Sequence, residues 1–308
     1  MDSRQLRYFI AVYEQRNLSR AADQANVAQS ALSHHISNLE AEFATPLFER
    51  KPRGMEPTAA AERLYEHARI ILRAMAEAER EIKEGRNSIA GEISIGMASS
   101  GVKAIGVPLM KAVLAKYPNL KLSLTESLSG PTLMHLMASE IDLALVYNPP
   151  SEKELIAEAV LEEQMYCVGT AKVVGKSRSA ITFDEMARLP QIMLLHGLSS
   201  RALLDDPVML KRLEANAILH VNSIGGTTGA LLAGLGCAVA TKLFAQEQIE
   251  AGRLVAREVI EPRLIRTLYL CRLRNRPMTY AMEEMRRLIL ALIAETVGQG
   301  AWQAKLLI

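Results

Sequence analysis

Cysteine is scarce in this sequence. Its 308 residues hold three, Cys167, Cys237 and Cys271, isolated from one another and from any Cys/His ligand spacing. That excludes a disulfide framework and a zinc site, and it fits a reducing compartment. Long apolar runs are missing too: no stretch approaches the roughly 18 residues that a membrane span requires. The amphipathic, polar N-terminus lacks the apolar core of a signal peptide. A cytoplasmic protein is expected. Charge of one sign is equally lacking, with 36 lysines and arginines against 34 aspartates and glutamates. In the first 58 residues, Arg4, Arg7, Arg16, Arg20, Arg50, Lys51 and Arg53 are matched one for one by acids. Any nucleic-acid contact must therefore come from local placement and not from bulk charge.

Catalytic signatures are also absent. The segments Gly225-Gly226-Thr227-Thr228 and Gly234-Leu235-Gly236 fit neither a phosphate loop nor a dinucleotide fingerprint after a strand. His34 and His35 are adjacent, so on a helix they point about 100° apart and cannot chelate one metal. The other histidines are scattered, and no Ser/His/Asp or Cys/His set is visible. No enzyme, cofactor or metal is expected.

What is present begins with helical periodicity. Leu6, Phe9, Ile10 and Tyr13 recur at i, i+3, i+4 and i+7. Ser19 reads as the N-cap of a second, short helix through Ala21, Ala22 and Ala25, where small side chains suit close helix approach. After a turn at Asn26-Val27-Ala28, a third helix from about Gln29 to Phe43 should bury Leu32, Ile36, Leu39 and Phe43. Opposite that stripe fall Ser30, Ser33, His34, Ser37 and Asn38. They are short, polar and uncharged, suited to base edges in a major groove. Solvation alone also explains such a face. The segment from Pro46 to Thr58 then supplies two short strands around a basic turn, with Gly54 able to take positive φ. A hairpin wing of this kind can touch phosphates or enter a minor groove.

From Thr58, an N-cap, to about Glu84 no Gly or Pro interrupts a helical composition. Leu64, Ala68, Ile71, Met75, Ala78 and Ile82 make a heptad seam, while Glu62, Arg69, Arg73, Glu77, Arg80 and Glu84 charge the other face. One narrow stripe needs one partner. Packing on the chain's own body would serve, but a second copy of the helix is the economical choice, and it would set two recognition helices into successive grooves.

Residues 85–91 read as a hinge, and beyond it strands alternate with helices. That rhythm predicts parallel α/β layers, with ligands bound beyond the carboxyl ends of the strands. Four loops fall at such ends: Ser99-Ser100-Gly101, Ser127 to Gly130, His196 to Arg201, and Ser223 to Thr228. Helix N-termini with free N–H groups attract anions, so an anionic effector is the expectation. Ordinary capping explains each loop singly; four together point to one cleft.

The N-terminal segments Leu6-Arg7-Tyr8-Phe9, Leu18 to Ala22, Gln29 to Ser33, Ile36 to Glu40, Pro46 to Arg50 and Pro57-Thr58 together resemble the LysR-type transcriptional regulators, and the likeness continues through the chain. The family often has Ser or Thr at Ala28, Pro at Ser30, Gly at Ala44 and Ala61, and Arg at His34, which leaves base preference undecided. By this resemblance Gln29, Ser30, Ser33 and His34 meet bases, with Ser37 on the same face; Ser19, Arg20 and Arg50 hold phosphates, and Arg53 reaches the minor groove. It implies residues 1–58 as a winged helix-turn-helix, 59–91 as linker helix and hinge, and 92–308 as a two-lobed, periplasmic-binding-protein-like effector domain. Lobe I would span about 92–162 and 267–308, lobe II about 163–266. Ser99, Ser100, Ser129, His196, Ser199 and Thr227 lie where family effectors make contact, and Gly101 belongs to the same loop. The implied partners are double-stranded promoter DNA, a second and possible further copies of the chain (dimer, commonly tetramer), and RNA polymerase. Leu64 to Arg69 and the Trp302 tail resemble the nitrogen-assimilation-control branch, some members of which need no co-inducer. A solute binder that needs no DNA would explain the cleft but leave the first 58 residues without purpose.

Overall fold

The computed structural model describes residues 1–84, 89–194 and 201–308 apart from residues 53, 178 and 203, with the side chains of residues 80, 81 and 84 left aside. Two compact units divide it, Met1–Asn87 and Ser88–Ile308.

In the first unit, α1 (Ser3–Gln15) starts at a capping box in which Asp2 accepts from the amides of Arg4 and Gln5, and Gln5 answers to the Asp2 amide. It buries Leu6, Phe9, Ala11 and Val12. The second helix, α2 (Leu18–Gln24), is capped by Asn17, whose side chain accepts from the Arg20 amide. Ser19 is thus inside the helix and not its cap, because the helix begins two residues earlier than a Ser19 cap would have it. Ala21 and Ala22 are buried between the helices. Asn26 turns the chain in the left-handed region, φ 53°, a conformation that asparagine tolerates.

The third helix, α3 (Gln29–Phe43), buries Leu32, Ile36 and Leu39. Phe43, the last residue of the helix, is 40% exposed, contrary to expectation; the chain turns away directly after it, at Ala44 (φ 48°). Ala28 stands at the N-cap with no side-chain bond, and Ser30 lies inside the first turn, so no hydroxyl replaces the missing cap.

The wing pairs β1 (Phe48–Lys51) with β2 (Gly54–Pro57) antiparallel. Its register depends on α1: the Met55 amide donates to the Arg16 carbonyl at 2.8 Å, and a Cβ on Gly54 (φ 139°) would collide with that same carbonyl. Glycine is needed here for the close approach as much as for its dihedral. From α3, one Glu40 carboxylate oxygen accepts from the amides of Leu47 and Phe48, tying the wing's root to that helix.

The long helix α4 (Ala59–Glu84) begins where the Thr58 hydroxyl accepts from the Ala61 amide. Its first half belongs to the unit's core: Ala61 and Ala68 are buried, and Tyr65 stacks on Tyr13 at 4.1 Å while bonding Glu14. Its second half leaves Ile71, Met75 and Ile82 exposed, Ile82 at 86%.

Among the described residues, the second unit holds two six-stranded sheets. β3 (Gly91–Met97) leads through a short helical turn, α5 (Ser99–Gly101), and a π turn to α6 (Val107–Lys116), then β4 (Leu120–Glu126), α7 (Ser129–Met137), β5 (Leu143–Tyr147) and the ten-residue β6 (Leu155–Gln164). The chain crosses at Met165 into β7 (Tyr166–Gly169), then passes α8 (Ala171–Val174), β8 (Ile181–Thr182), α9 (Phe183–Ala187), β9 (Gln191–Met193), α10 (Pro207–Glu214), β10 (Ala217–His220), α11 (Ile224–Leu232), β11 (Cys237–Ala240), α12 (Gln246–Glu250) and β12 (Val255–Ile260). It returns as β13 (Ile265–Leu273), α13 (Tyr280–Gly298) and β14 (Lys305–Leu306). The strand orders are β14-β6-β13-β5-β3-β4 and β10-β9-β11-β7-β12-β8.

These sheets are mixed, which corrects the expectation of parallel layers. β3 pairs parallel with β4 and β5, and β9 with β10 and β11, but β13 runs antiparallel to both β5 and β6, and β7 to both β11 and β12. The antiparallel strands are those where the chain passes between sheets; β6, with Glu162 and Glu163 side by side, lacks the strict alternation that marks a strand in sequence. At the passage the Met165 amide donates to the Leu264 carbonyl at 2.8 Å.

Because Ala28 already has extended backbone at the N-cap (φ −65°, ψ 138°), Ala28→Ser should stabilise the first unit by about 1 kcal/mol. Urea unfolding of the full chain followed by circular dichroism would register it; no gain would mean that the orphan amides of α3 are already satisfied by water.

Candidate nucleic-acid interface and ligand cleft

The burial of Leu32, Ile36 and Leu39 turns the opposite face of α3 outward. Gln29, Ser30, His34, Ser37 and Asn38 are exposed and Ser33 is half-buried, so the neutral ridge faces solvent as its helical phase required. Its side chains are ordered by one another. Ser19 Oγ donates to Gln29 Oε1 at 3.1 Å, linking α2 to the first turn of α3, and His34 and Asn38 are 3.1 Å apart at i, i+4. Arg50 reaches from the wing to Ser33 Oγ at 3.4 Å, so base-facing and phosphate-facing candidates adjoin. Arg20 is exposed at the start of α2, and Arg53 lies outside the described residues. Lys51 is held between Glu49 at 2.8 Å and Glu56 at 3.7 Å. The Glu49 carboxylate beside it raises its pKa, and Glu49 is lowered in turn by that ammonium. The wing's net positive charge therefore comes from its arginines.

In the second unit, a cavity of about 370 Å³ opens between the two sheets at the carboxyl ends of β3 and β5. Ser99, Ser100, Ser129 and Thr227 all line it, as expected from the loops. Gly101 does not: it faces the sheet, where a Cβ would press on Leu145 at 3.0 Å. His196 and Ser199 lie outside the described residues. The Ser129 hydroxyl accepts from the Tyr147 amide at 3.1 Å, which fixes the end of β5 against α7.

Among the lining residues that the sequence did not point to, Tyr147 and Arg266 stand beside the serines. Ser100 Oγ and the Tyr147 hydroxyl are 2.8 Å apart, and the Arg266 guanidinium lies over the Tyr147 ring at 3.5 Å while donating to Ser100 Oγ at 3.3 Å. Behind them, Arg266 Nε and Nη2 both donate to Glu163 Oε2, at 2.9 and 2.8 Å, and the Trp302 indole N–H donates to Glu163 Oε1 at 2.6 Å. Burial pushes the Tyr147 phenol well above its ordinary pKa, so it stays neutral. Burial opposes the Arg266 charge, but Tyr147 and Glu163 more than offset this, and its pKa is raised. The rule that placed the serine loops could have found Tyr147, the last residue of β5. Nothing local marks Arg266, Glu163 or Trp302, which come from β13, β6 and the tail.

With this geometry in place, the likenesses to known proteins are specific. The bacterial regulatory helix-turn-helix of the lysR family matches residues 3–62, and the LysR substrate-binding domain matches residues 86–294. The chain belongs to the LysR family. It is 31% identical over 240 residues to the nitrogen assimilation regulatory protein nac of Escherichia coli, which covers 78% of each chain and is consistent with the nitrogen-assimilation-control branch. Among solved structures, a full-length OxyR variant from Pseudomonas aeruginosa is similar with a TM-score of 0.69 at 18% identity, over 95% of this chain and 94% of that one. CbnR complexed with its target DNA gives 0.62 at 19% identity, over 96% and 100%. At such identities the structures speak for the fold alone. The regulator is thus of the LysR type, a DNA-binding helix-turn-helix joined to an effector-binding domain. Among the described residues no cluster fit for a metal occurs, and no helix is long and apolar enough to cross a membrane.

All three thiols of the regulator are buried. Burial alone pushes Cys271 up to about 12, so at pH 8 roughly one thiol in ten thousand is ionised. Native protein should resist iodoacetamide at Cys271 over hours and react fully in urea, as peptide mass spectrometry would reveal. Rapid native alkylation there would contradict the burial.

Proposed function

We propose that the regulator binds double-stranded promoter DNA as a homodimer, with the exposed ridge of α3 in the major groove and the wing on the backbone, and that a small molecule in the cleft modulates this. The observation that carries the reading is the one-sided burial of α3. Leu32, Ile36 and Leu39 face inward, while Gln29, Ser30, Ser33, His34 and Ser37 present donors and acceptors without an acidic side chain among them. Ser19, Arg20, Arg50 and Arg53 are the phosphate and minor-groove contacts. The effector meets Ser99, Ser100, Ser129 and Thr227, and His196 and Ser199 complete the expected set. A ligand acts by its different affinity for two arrangements of the protein. DNA spacing and the access of RNA polymerase then follow. The regulator works on DNA in the cytoplasm and catalyses no reaction.

Titration of the DNA upstream of the gene by fluorescence anisotropy tests the first part. Arg50→Ala should weaken binding to all sequences and reduce the salt slope by about 0.9, whereas Ser33→Ala and His34→Ala should change the ranking of operator variants, by about 1–3 kcal/mol at an affected base pair. An unchanged ranking in both would remove α3 from base recognition.

The exposed second half of the α4 seam supports the dimer. Ile71, Met75 and Ile82 form an apolar stripe at heptad spacing that grows more exposed along the helix, from 37% at Ile71 to 86% at Ile82. Tetramers would add further contacts. Ile82→Glu should raise the dimer dissociation constant about tenfold or more, read by light scattering across a dilution series. A variant that stays as dimeric as the parent would place the interface elsewhere.

A further inference from the structure

We propose that the cleft selects an uncharged small molecule, an amide, ketone or alcohol on an apolar body, and that Glu163, held from behind by Trp302, sets this preference. The inference rests on reading the cleft as the effector site, and it replaces the anionic effector that the loop chemistry alone suggested.

Fixed negative charge around a partly desolvated site opposes a bound anion and spares a neutral dipole. The described side chains in and behind the cleft carry such a surplus. Among the described residues, the two cations that line it are both paired: Arg266 with Glu163 at 2.8 Å and Lys103 with Glu247 at 3.6 Å. Glu126 also lines the cavity, so the local balance of described side chains is two bases against three acids. The helix starts are occupied in part, the Ser99, Ser100, Ser129 and Gly130 amides staying open to any acceptor, neutral or charged. Ser223 Oγ accepts from the Gly226 amide at α11, Pro131 contributes no N–H at α7, and the Thr132 amide donates to the Leu128 carbonyl. Ser129 Oγ is engaged by the Tyr147 amide.

A neutral dipole meets a different site. A guanidinium carries five N–H groups, and the bonds of Arg266 to Glu163 and Ser100 employ three, so further donors remain for a carbonyl or hydroxyl oxygen. Ser100 and Tyr147 are hydroxyls that can turn to donate or accept. The rest of the wall is apolar, with Val102, Leu128, Ile192, Leu194, Ile224 and Phe244. Glu163 is the deciding group because it is 1% exposed and cannot be bypassed by solvent. One carboxylate oxygen takes both Arg266 bonds and the other the Trp302 indole, so the anion is locked onto the guanidinium and cancels its charge.

Benzamide and benzoate, nearly identical in shape and different in charge, test this by calorimetric titration of the full chain at neutral pH. Trp302, the single tryptophan, reports binding near Glu163 through its emission. The wild type should bind benzamide about tenfold or more tighter than benzoate, and Glu163→Gln should shift the ratio toward benzoate by about tenfold. Should E163Q fail to fold because its amide NH2 opposes the indole N–H, the double variant E163Q/W302F removes that clash and is read by calorimetry. A wild type that prefers benzoate, or a ratio unmoved by the Glu163 substitution, overturns the inference and leaves the cleft reading standing. If neither probe binds wild type or variant, the effector-cleft reading falls with it.

Discussion

The ladder between β6 and β13 is the interaction on which the second unit depends. The two strands pair antiparallel from Leu155–Leu273 to Gln164–Ile265, and just beyond that pairing the chain passes from one sheet to the other. Strands continuous with both sheets restrict how the lobes can move, because backbone hydrogen bonds must survive any change of angle. The same ladder brings Glu163 and Arg266 together as direct cross-strand partners. Opposite charges thus face each other across the ladder, and their burial beside the cleft makes a structural register into a chemical feature of the binding wall.

A buried ion pair contributes little net stability, since desolvating both groups offsets their attraction, but losing one partner costs about 3–5 kcal/mol. Glu163 and Arg266 are therefore constrained jointly. The tail adds a third member: Trp302 is buried, and β14 pairs with β6 on the ladder's outer side. The end of the chain thus closes the network that faces the cleft. Asp142 plays a comparable part deeper in the same sheet, capping the Ser94 amide at 2.7 Å while paired with Arg276.

The first unit follows a simpler constraint. Three short helices have only enough apolar surface to cover one face each, and α4 lends its first turns to complete that core. What remains outside is decided by subtraction: a neutral ridge on α3, arginines on the wing, and an apolar stripe on the later turns of α4. The faces proposed to meet DNA and a second copy are those that its small core leaves uncovered.

Much of this was legible in the residue order. Helical phase separates Leu32, Ile36 and Leu39 from Ser30, His34 and Ser37 whatever the tertiary context, because an α-helix turns by a constant angle per residue. The heptad of α4, the wing around Gly54 and the serines after β3 and β4 are local patterns of the same kind. Other features are products of three dimensions. Phe43 looked like core until the chain turned away at Ala44, and Asn17 displaced Ser19 as the cap. Sheet direction depended on how β6 and β13 thread two lobes. Arg266, Glu163, Tyr147 and Trp302 are separated by up to 155 positions, between Tyr147 and Trp302. No periodicity links them; only strand pairing and the docked tail set a carboxylate against a guanidinium and so decided the charge of the cleft.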